Sequence, residues 1–540
     1  MQQLVGLGAL ATASLLFGLS TISILVSAAF VGGLILMMGT PNPYWGVRIA
    51  GVAGLMLAAL VVHVGANLRR HPAGLPWLLL AVVIAAFLNA MEGLLQWMGL
   101  VGELYRWVIE PERRGLAFGS LRQSNLFATF LCVGSVCTIW LVHLRRLTPA
   151  MACFLLPALM FGVAASGSRT GALEVIMLGI WAWFFRKKQS TNVTRLFLGQ
   201  MVVLALAMAV LPMVANMLDF GYLSGVERVG KVGHDPRMLI WSNAIDLIQQ
   251  RPWFGWGWRE TGYGHFMTLF DNRHNELLEN VHNLPLQLAV EFGLPLTALG
   301  IFSIIWALSR SRPLKADADN SQRSGGGPSS QHFAWVILLL IVGIHSMLEY
   351  PLWYAGFLFL TGVSVGYVLP LQARDAEQAV FQVWTLRTMK LGALLLIILS
   401  VVAWQQYAKV LLIYKTPFTN NRDVQRASVT AAINNASGAW LFQEHLDFAL
   451  LGWTTVTSEN AIDVRRRSEN LLHFSAEPRV IEPLLLSLWY LQDIDALKLQ
   501  TEHYCRAFPG PYERWREAQS GHPMLPVVKQ VTEKCRPAIH

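Results

Sequence analysis

His282 lies between two asparagines in ENVHNL, where a long polar stretch returns to apolar sequence. A neutral imidazole there can take the proton of a hydroxyl nucleophile near neutral pH. Arg169 in SGSRTG, Arg237 in DPRMLIW and Arg259 closing WFGWGW offer guanidinium groups. These match phosphate oxygens bidentately and neutralise a diphosphate leaving group as its charge develops. Gln123 and Asn125 in LRQSN, with Asn280 beside the histidine, can hold sugar hydroxyls or an acceptor amide. Glu349, Tyr350 and Tyr354 in HSMLEYPLWY complete the set; His345 lies deeper in the apolar run and reads as structural. Arg273 sits beside Asp271 and Glu276 and reads better as a salt-bridging residue. A capping histidine and ion-paired arginines would explain any one of these patches alone. Their convergence argues for a site. D-x-D, H-E-x-x-H, C-x-x-C and P-loop patterns are missing from the sequence, so no metal and no cofactor is expected.

The elements that must position these groups are apolar. The 540 residues are 54% hydrophobic and 14% charged, too few charges for soluble domains. Runs long enough to cross a bilayer recur at roughly 4–20, 22–38, 48–67, 76–98, 124–143, 149–165, 171–185, 195–214, 283–308, 333–349, 351–370 and 389–411. The fold class expected is an all-α polytopic membrane protein of about twelve transmembrane helices, within a range of eleven to thirteen. The first 38 residues lack a basic start and a cleavage site, so they read as membrane helix rather than a removed signal. Arg69-Arg70, Arg145-Arg146, Arg186 to Lys188 and Arg310 to Arg323 fall on one side, which the positive-inside tendency makes cytoplasmic. The formal charge of +9 therefore sets topology and does not point to nucleic acid.

The opposite face receives the large loop 212–282, which carries eight acidic and six basic residues. Within it, apolar spacing predicts a helix through PRMLIWSNAIDLIQQ, capped by Asp235 and stopped at Arg251-Pro252. The WFGWGW run that follows is expected at headgroup level. Residues 1–411 are thus read as a bundle containing the catalytic loop. Residues 412–540 are read as an outward helical domain of packed helix pairs, loosely resembling tetratricopeptide units. Cys505 and Cys535 fall in that tail, where spacing alone leaves their pairing open.

Taken in order, LRQSN, SGSRTG, the segment from DPRMLIW to WFGWGW, NVHNL and HSMLEYPLWY resemble the bacterial membrane superfamily of O-antigen ligases, O-antigen polymerases and protein O-oligosaccharyltransferases. The wording looks most like the pilin-glycosylating, protein oligosaccharyltransferase branch. That resemblance implies a multi-pass inner-membrane protein with its catalytic loop and tail in the periplasm. It implies an undecaprenyl-diphosphate-linked glycan as donor, and an acceptor protein such as a pilin, with lipid A-core or another glycan as the alternative. It also implies His282 as the catalytic residue, Gln123 and Tyr350 or Tyr354 as partners, and Arg169, with Arg237 or Arg259, at the diphosphate. Charges clustered at one face disfavour a transporter, which would place them near the midplane.

Overall fold

The computed structural model describes residues 34–35, 37–70, 72–102, 108–187, 189–220, 236–275, 277–310, 330–368, 376–415, 422–532 and 535. Among them there are helices and turns and no strand. The helices are α1 (Trp45–Arg70), α2 (Leu75–Met98), α3 (Ser124–His143), α4 (Pro149–Ala165), α5 (Arg169–Phe184) and α6 (Thr191–Met217). The loop contributes α7 (Pro236–Gln250) and α8 (Thr261–Met267), and the chain re-enters the bundle as α9 (Leu284–Arg310). Next comes α10 (Ser330–Val336), continued by a π-helical stretch, Ile337–Gly343, into Ile344–Ser346; α11 (Ala355–Val368) and α12 (Ala376–Tyr414) follow. The tail is α13 (Arg422–Ala436), α14 (Gln443–Trp453), α15 (Ala461–Leu472), α16 (Pro478–Tyr490), α17 (Ile494–Ala507), α18 (Pro509–Ala518) and α19 (Leu525–Thr532).

Each of the ten expected spans from 48–67 onward falls on one of these helices. The first two, 4–20 and 22–38, lie outside the described residues except at their end, as do Asp235, Glu276 and most of the polar linker at 311–329. Among the described residues six helices are long and apolar enough to cross a membrane: Trp45–Val62 of α1, then α2, α3 and α6, then Leu284–Trp306 of α9 and Lys390–Tyr414 of α12. Three more, α4, Phe333–Ser346 and α11, are apolar but shorter. At about 1.5 Å per residue, a helix of that class rises about 25 Å at most, so apolar content and full spanning length are separate properties here. The chain is a multi-pass membrane protein.

Small residues let the bundle close. A Cβ on Gly65 of α1 would meet the Val363 carbonyl of α11, and one on Gly362 would meet Val61. Helices in lipid gain from such backbone proximity because no hydrophobic effect drives them together. The main core then gathers Phe127, Leu131 and Val136 of α3 with residues of α2, α4, α5 and α6.

α9 is broken at Gly293, whose φ of 78° and ψ of 168° belong to glycine almost alone. The break exposes carbonyls, and the loop segment 251–257 satisfies them. Trp256 N–H donates to the Val290 carbonyl at 2.8 Å and Gly257 N–H to Glu291 at 3.0 Å; Leu294 N–H donates back to Pro252 at 2.8 Å. Irregular backbone at membrane depth needs such repair. Within the WFGWGW run Trp253 and Phe254 are exposed, while Trp256 and Trp258 are buried against the bundle.

The tail packs helix on helix, α14 on α15, α15 on α16 and α16 on α17. Its core of Val480, Leu484, Leu485, Leu497 and Tyr504 also takes in Tyr44, ahead of α1, and Phe266 of α8. A Cys505–Cys535 disulfide closes its end. A Gly293→Ala variant is expected to lose about 1–3 kcal/mol, because its Cβ would also meet the Trp253 carbonyl. Thermal unfolding in detergent should drop by several degrees and 251–257 should become protease-sensitive; an unchanged melting curve would contradict the repaired-break reading.

Candidate active site

Glu349 gathers the predicted residues. It follows the helical turn Ile344–Ser346, its N–H donating to the His345 carbonyl at 2.8 Å, and its side chain is 5% exposed. Oε1 accepts from Arg237 Nη2 at 2.5 Å and from Asn125 Nδ2 at 2.9 Å. Oε2 faces His282 Nδ1 at 2.8 Å and accepts a long bond from Gln123 Nε2 at 3.5 Å. Burial pushes the Glu349 carboxyl up, but its His282 and Arg237 partners outweigh burial and hold it down to about 2.

Each partner is itself held. Asn125, in the first turn of α3, accepts through Oδ1 from Ser168 Oγ at 2.7 Å. Ser168 also caps α5, accepting from Gly171 N–H at 3.1 Å, and so places Arg169, exposed in the first turn, beside the cluster. Arg237 and Trp241 are neighbours on one face of α7. While Arg237 meets Glu349, Trp241 Nε1 donates to the Val281 carbonyl at 3.0 Å.

His282 has a φ of 52°, the left-handed region. The asparagines that bracket it account for this. Asn280 Oδ1 accepts from His282 N–H at 2.8 Å. Asn283 Oδ1 accepts from Leu286 N–H at 3.1 Å, capping α9, while its Nδ2 donates to the Met347 carbonyl at 3.2 Å. Val281 N–H donates to Gln287 Oε1 at 2.8 Å. With Glu349 ionised, His282 carries its proton on Nδ1, leaving the Nε2 lone pair for a substrate. The imidazole side chain keeps 29% exposure. Tyr350 packs edge-on against it, ring centroids 5.1 Å apart. Burial, then Tyr354 and Glu349, push the Tyr350 hydroxyl up to about 12, so it stays a donor. Tyr354 Oη donates to Gln123 Oε1 at 3.4 Å.

Arg259 is not among the Glu349 partners. It stands, with a φ of 61°, on the wall of a cleft of about 120 Å³ that opens beyond Asn280 and Tyr350 and is partly open to solvent. The far wall is the tail turn His473-Phe474-Ser475. His473 Nδ1 meets Glu260 Oε2 at 2.6 Å, and its ring stacks on Tyr263 at 3.9 Å. Burial pushes the Glu260 carboxyl up while the His473 bond works against it. Arg273, expected to salt-bridge, instead donates to the His265 and Thr268 carbonyls at 2.7 and 3.0 Å. Burial and Arg273 push His265 down to about 2, so it stays neutral. Sequence reasoning missed Ser168, Trp241, Asn243 and His473. Asn243 Nδ2 donates to the Asn272 carbonyl and its Oδ1 accepts from His274 N–H. Among the described residues no three of His, Cys, Asp and Glu gather as metal ligands.

Two family models match the chain: O-Antigen ligase over residues 152–301, and the C-terminal part of the virulence factor membrane-bound polymerase over 333–521. The first match contains Arg169, Arg237 and His282; the second contains Glu349 and most of the tail. Both descriptions fall within the O-antigen ligase and polymerase superfamily, to which the chain is similar over these two stretches. Two relatives from Acinetobacter baylyi are also similar to it. A general O-oligosaccharyltransferase is 25% identical over 334 residues, 59% of this chain and 55% of that protein. A ComP-specific O-oligosaccharyltransferase is 22% identical over 293 residues, 54% and 50%. The chain spans about half the length of the curated relatives it matches. No solved structure matches it significantly.

The depressed carboxyl has a pH signature. Its folded value of about 2 lies below the unfolded value of about 4.3. Stability from this pairing is therefore full above about pH 5 and lost as pH falls toward 2. Wild-type melting temperature should decline through that window. Glu349→Gln should melt lower at neutral pH and show a shallower acid decline; parallel curves would contradict the assignment.

Proposed function

We propose that this protein transfers an oligosaccharide from an undecaprenyl-diphosphate carrier to Ser or Thr hydroxyls of periplasmic proteins, pilin-like ones included. The observation that carries the reading is the His282–Glu349 pair, oriented so that Nε2 is the free basic atom, with the Arg237 guanidinium on the same carboxylate. The names of the two A. baylyi relatives support the reaction class, and the ComP-specific one supports a protein acceptor.

In the reaction, Nε2 of His282 takes the acceptor hydroxyl proton as its oxygen attacks the anomeric carbon. The bond to the phosphate oxygen breaks and its electron pair leaves with the lipid diphosphate. Displacement in one step inverts the anomeric centre. Arg169 and Arg237 neutralise the charge that develops on the leaving diphosphate. Glu349 keeps the imidazole in one tautomer and stabilises the imidazolium that forms. Asn125 and Gln123 fix Glu349, and Tyr350 and Tyr354 shape the pocket. No step calls for a metal or a cofactor. The loop and tail lie on the periplasmic side of the inner membrane in this reading, opposite the basic loops. A second reading is favoured by the O-antigen ligase match across the loop: the same machinery with a sugar hydroxyl of lipid A-core or a glycan as acceptor.

Proteoliposomes with lipid-linked glycan and either a Ser-containing polypeptide or a core-type glycan decide between the acceptors. His282→Ala should lower transfer by about 10²–10⁴-fold with membrane insertion intact; retained activity would remove its role as base. Arg169→Ala should raise the KM for donor, and Arg169→Lys should restore it only in part because the bidentate fork is lost. An unchanged donor KM would contradict the diphosphate assignment.

A further inference from the structure

The cleft beside the His282–Glu349 pair has two walls of different origin. One belongs to the loop and the bundle edge, with Arg259, Glu279, Asn280 and Tyr350; the other is the tail turn through Phe474 and Ser475. Its enclosed volume is about 120 Å³, room for a side chain or two, and it is open to solvent along one side. Glu279 and Arg259 are both exposed and bring charges of opposite sign. That is the wrong lining for a diphosphate, which a carboxylate repels, and Arg169 and Arg237 do not line the cleft. A charge pair with Tyr263, Trp353 and Phe474 suits a polypeptide, whose side chains carry both charge and apolar surface.

Asn280 ties this cleft to the base. Its Oδ1 holds the His282 amide, while its buried Nδ2 has no hydrogen-bond partner among the described residues. A buried unpaired donor costs about 1–3 kcal/mol, and a small turn of this wall toward a peptide carbonyl supplies the missing acceptor. A chain held there is registered by the same side chain that positions His282. The opposite wall is fixed as well: the neighbouring His473 is locked to Glu260 and Tyr263, and Asn42 Nδ2 donates to its carbonyl at 3.1 Å.

We propose that this cleft binds a short extended segment of the acceptor polypeptide, delivering its Ser or Thr to Nε2 from the Asn280–Tyr350 end, with Glu279 and Arg259 reading the charges of flanking residues. The proposal rests on the protein-transfer reading above. The test uses full-length protein in nanodiscs with lipid-linked glycan and Ser-containing peptides whose flanks are basic or acidic. Ser475→Trp, which fills the tail wall, should raise the KM for peptide at least tenfold and leave donor KM and donor hydrolysis by water unchanged. Glu279→Lys should shift preference from basic toward acidic flanks by a similar factor. Should Ser475→Trp lower the melting temperature, the exposed Glu279 variant decides. Unchanged peptide KM and flank preference would overturn the proposal; a raised donor KM would overturn it too, assigning the cleft to the donor glycan. Wild-type protein that hydrolyses donor yet glycosylates no peptide would instead bring down the protein-transfer reading itself.

Discussion

An ionised carboxylate at the edge of a membrane must be paired, and this requirement at Glu349 organises the protein. Removing one partner of a buried ion pair costs about 3–5 kcal/mol, so arrangements that leave Glu349 alone are strongly disfavoured. Its four partners come from the start of α3, from α7 and from the turn into α9. These are the elements a membrane-edge site has to assemble, and one charge fixes their mutual positions. The same charge sets the chemistry. It selects the His282 tautomer and draws a guanidinium to within reach of the same site.

A second cost is local. His282 adopts a left-handed backbone, unfavourable for an L-residue by about 1–2 kcal/mol. Three hydrogen bonds offset it: Asn280 to the His282 amide, Gln287 to the Val281 amide, and Trp241 to the Val281 carbonyl. The imidazole therefore does not have to be ordered when substrate arrives. A base held in advance is worth more than one recruited from a mobile loop, because orientation is settled before the reaction begins. The broken helix adds stiffness from behind, since Trp256 and Gly257 are bonded into α9 just two turns beyond this motif.

Much of this was legible in sequence because the signals are local. Apolar length located ten helices, and spacing located α7 within the long polar loop. His282 stood out because it is bracketed by asparagines where the polar loop returns to apolar sequence. What was not legible depends on long-range pairing. Arg237 and Arg259 look alike in sequence, yet only Arg237 meets Glu349, 112 positions away. Trp256 and Trp258 read as headgroup anchors because nothing nearby announces the carbonyls that Gly293 exposes across the fold. The Cys505–Cys535 bond, over 30 residues, needed the packing of α17 against α19. His473 carried no signal at all, sitting in an unremarkable helix end.

His473 also bears on what the tail is for. A cap that only stabilised the bundle would bury apolar surface and keep its polar groups in water. Here the tail places an imidazole against a buried loop carboxylate, and its core takes in Tyr44 and Phe266. Whatever boundary is drawn near residue 411, the apolar core crosses it. Glu260 starts α8, and Thr261 and Gln287 both bond to Glu291 of α9. Gln287 is in turn the residue that holds Val281, next to the base. A displacement of the tail at His473 therefore reaches His282 through a series of links: Glu260, its chain neighbour Thr261, the Gln287 side chain bonded to Thr261, and the Val281 amide. Stabilising the loop and positioning His282 then become one property of the tail, because the contacts that hold it in place lead to the contacts that hold that histidine.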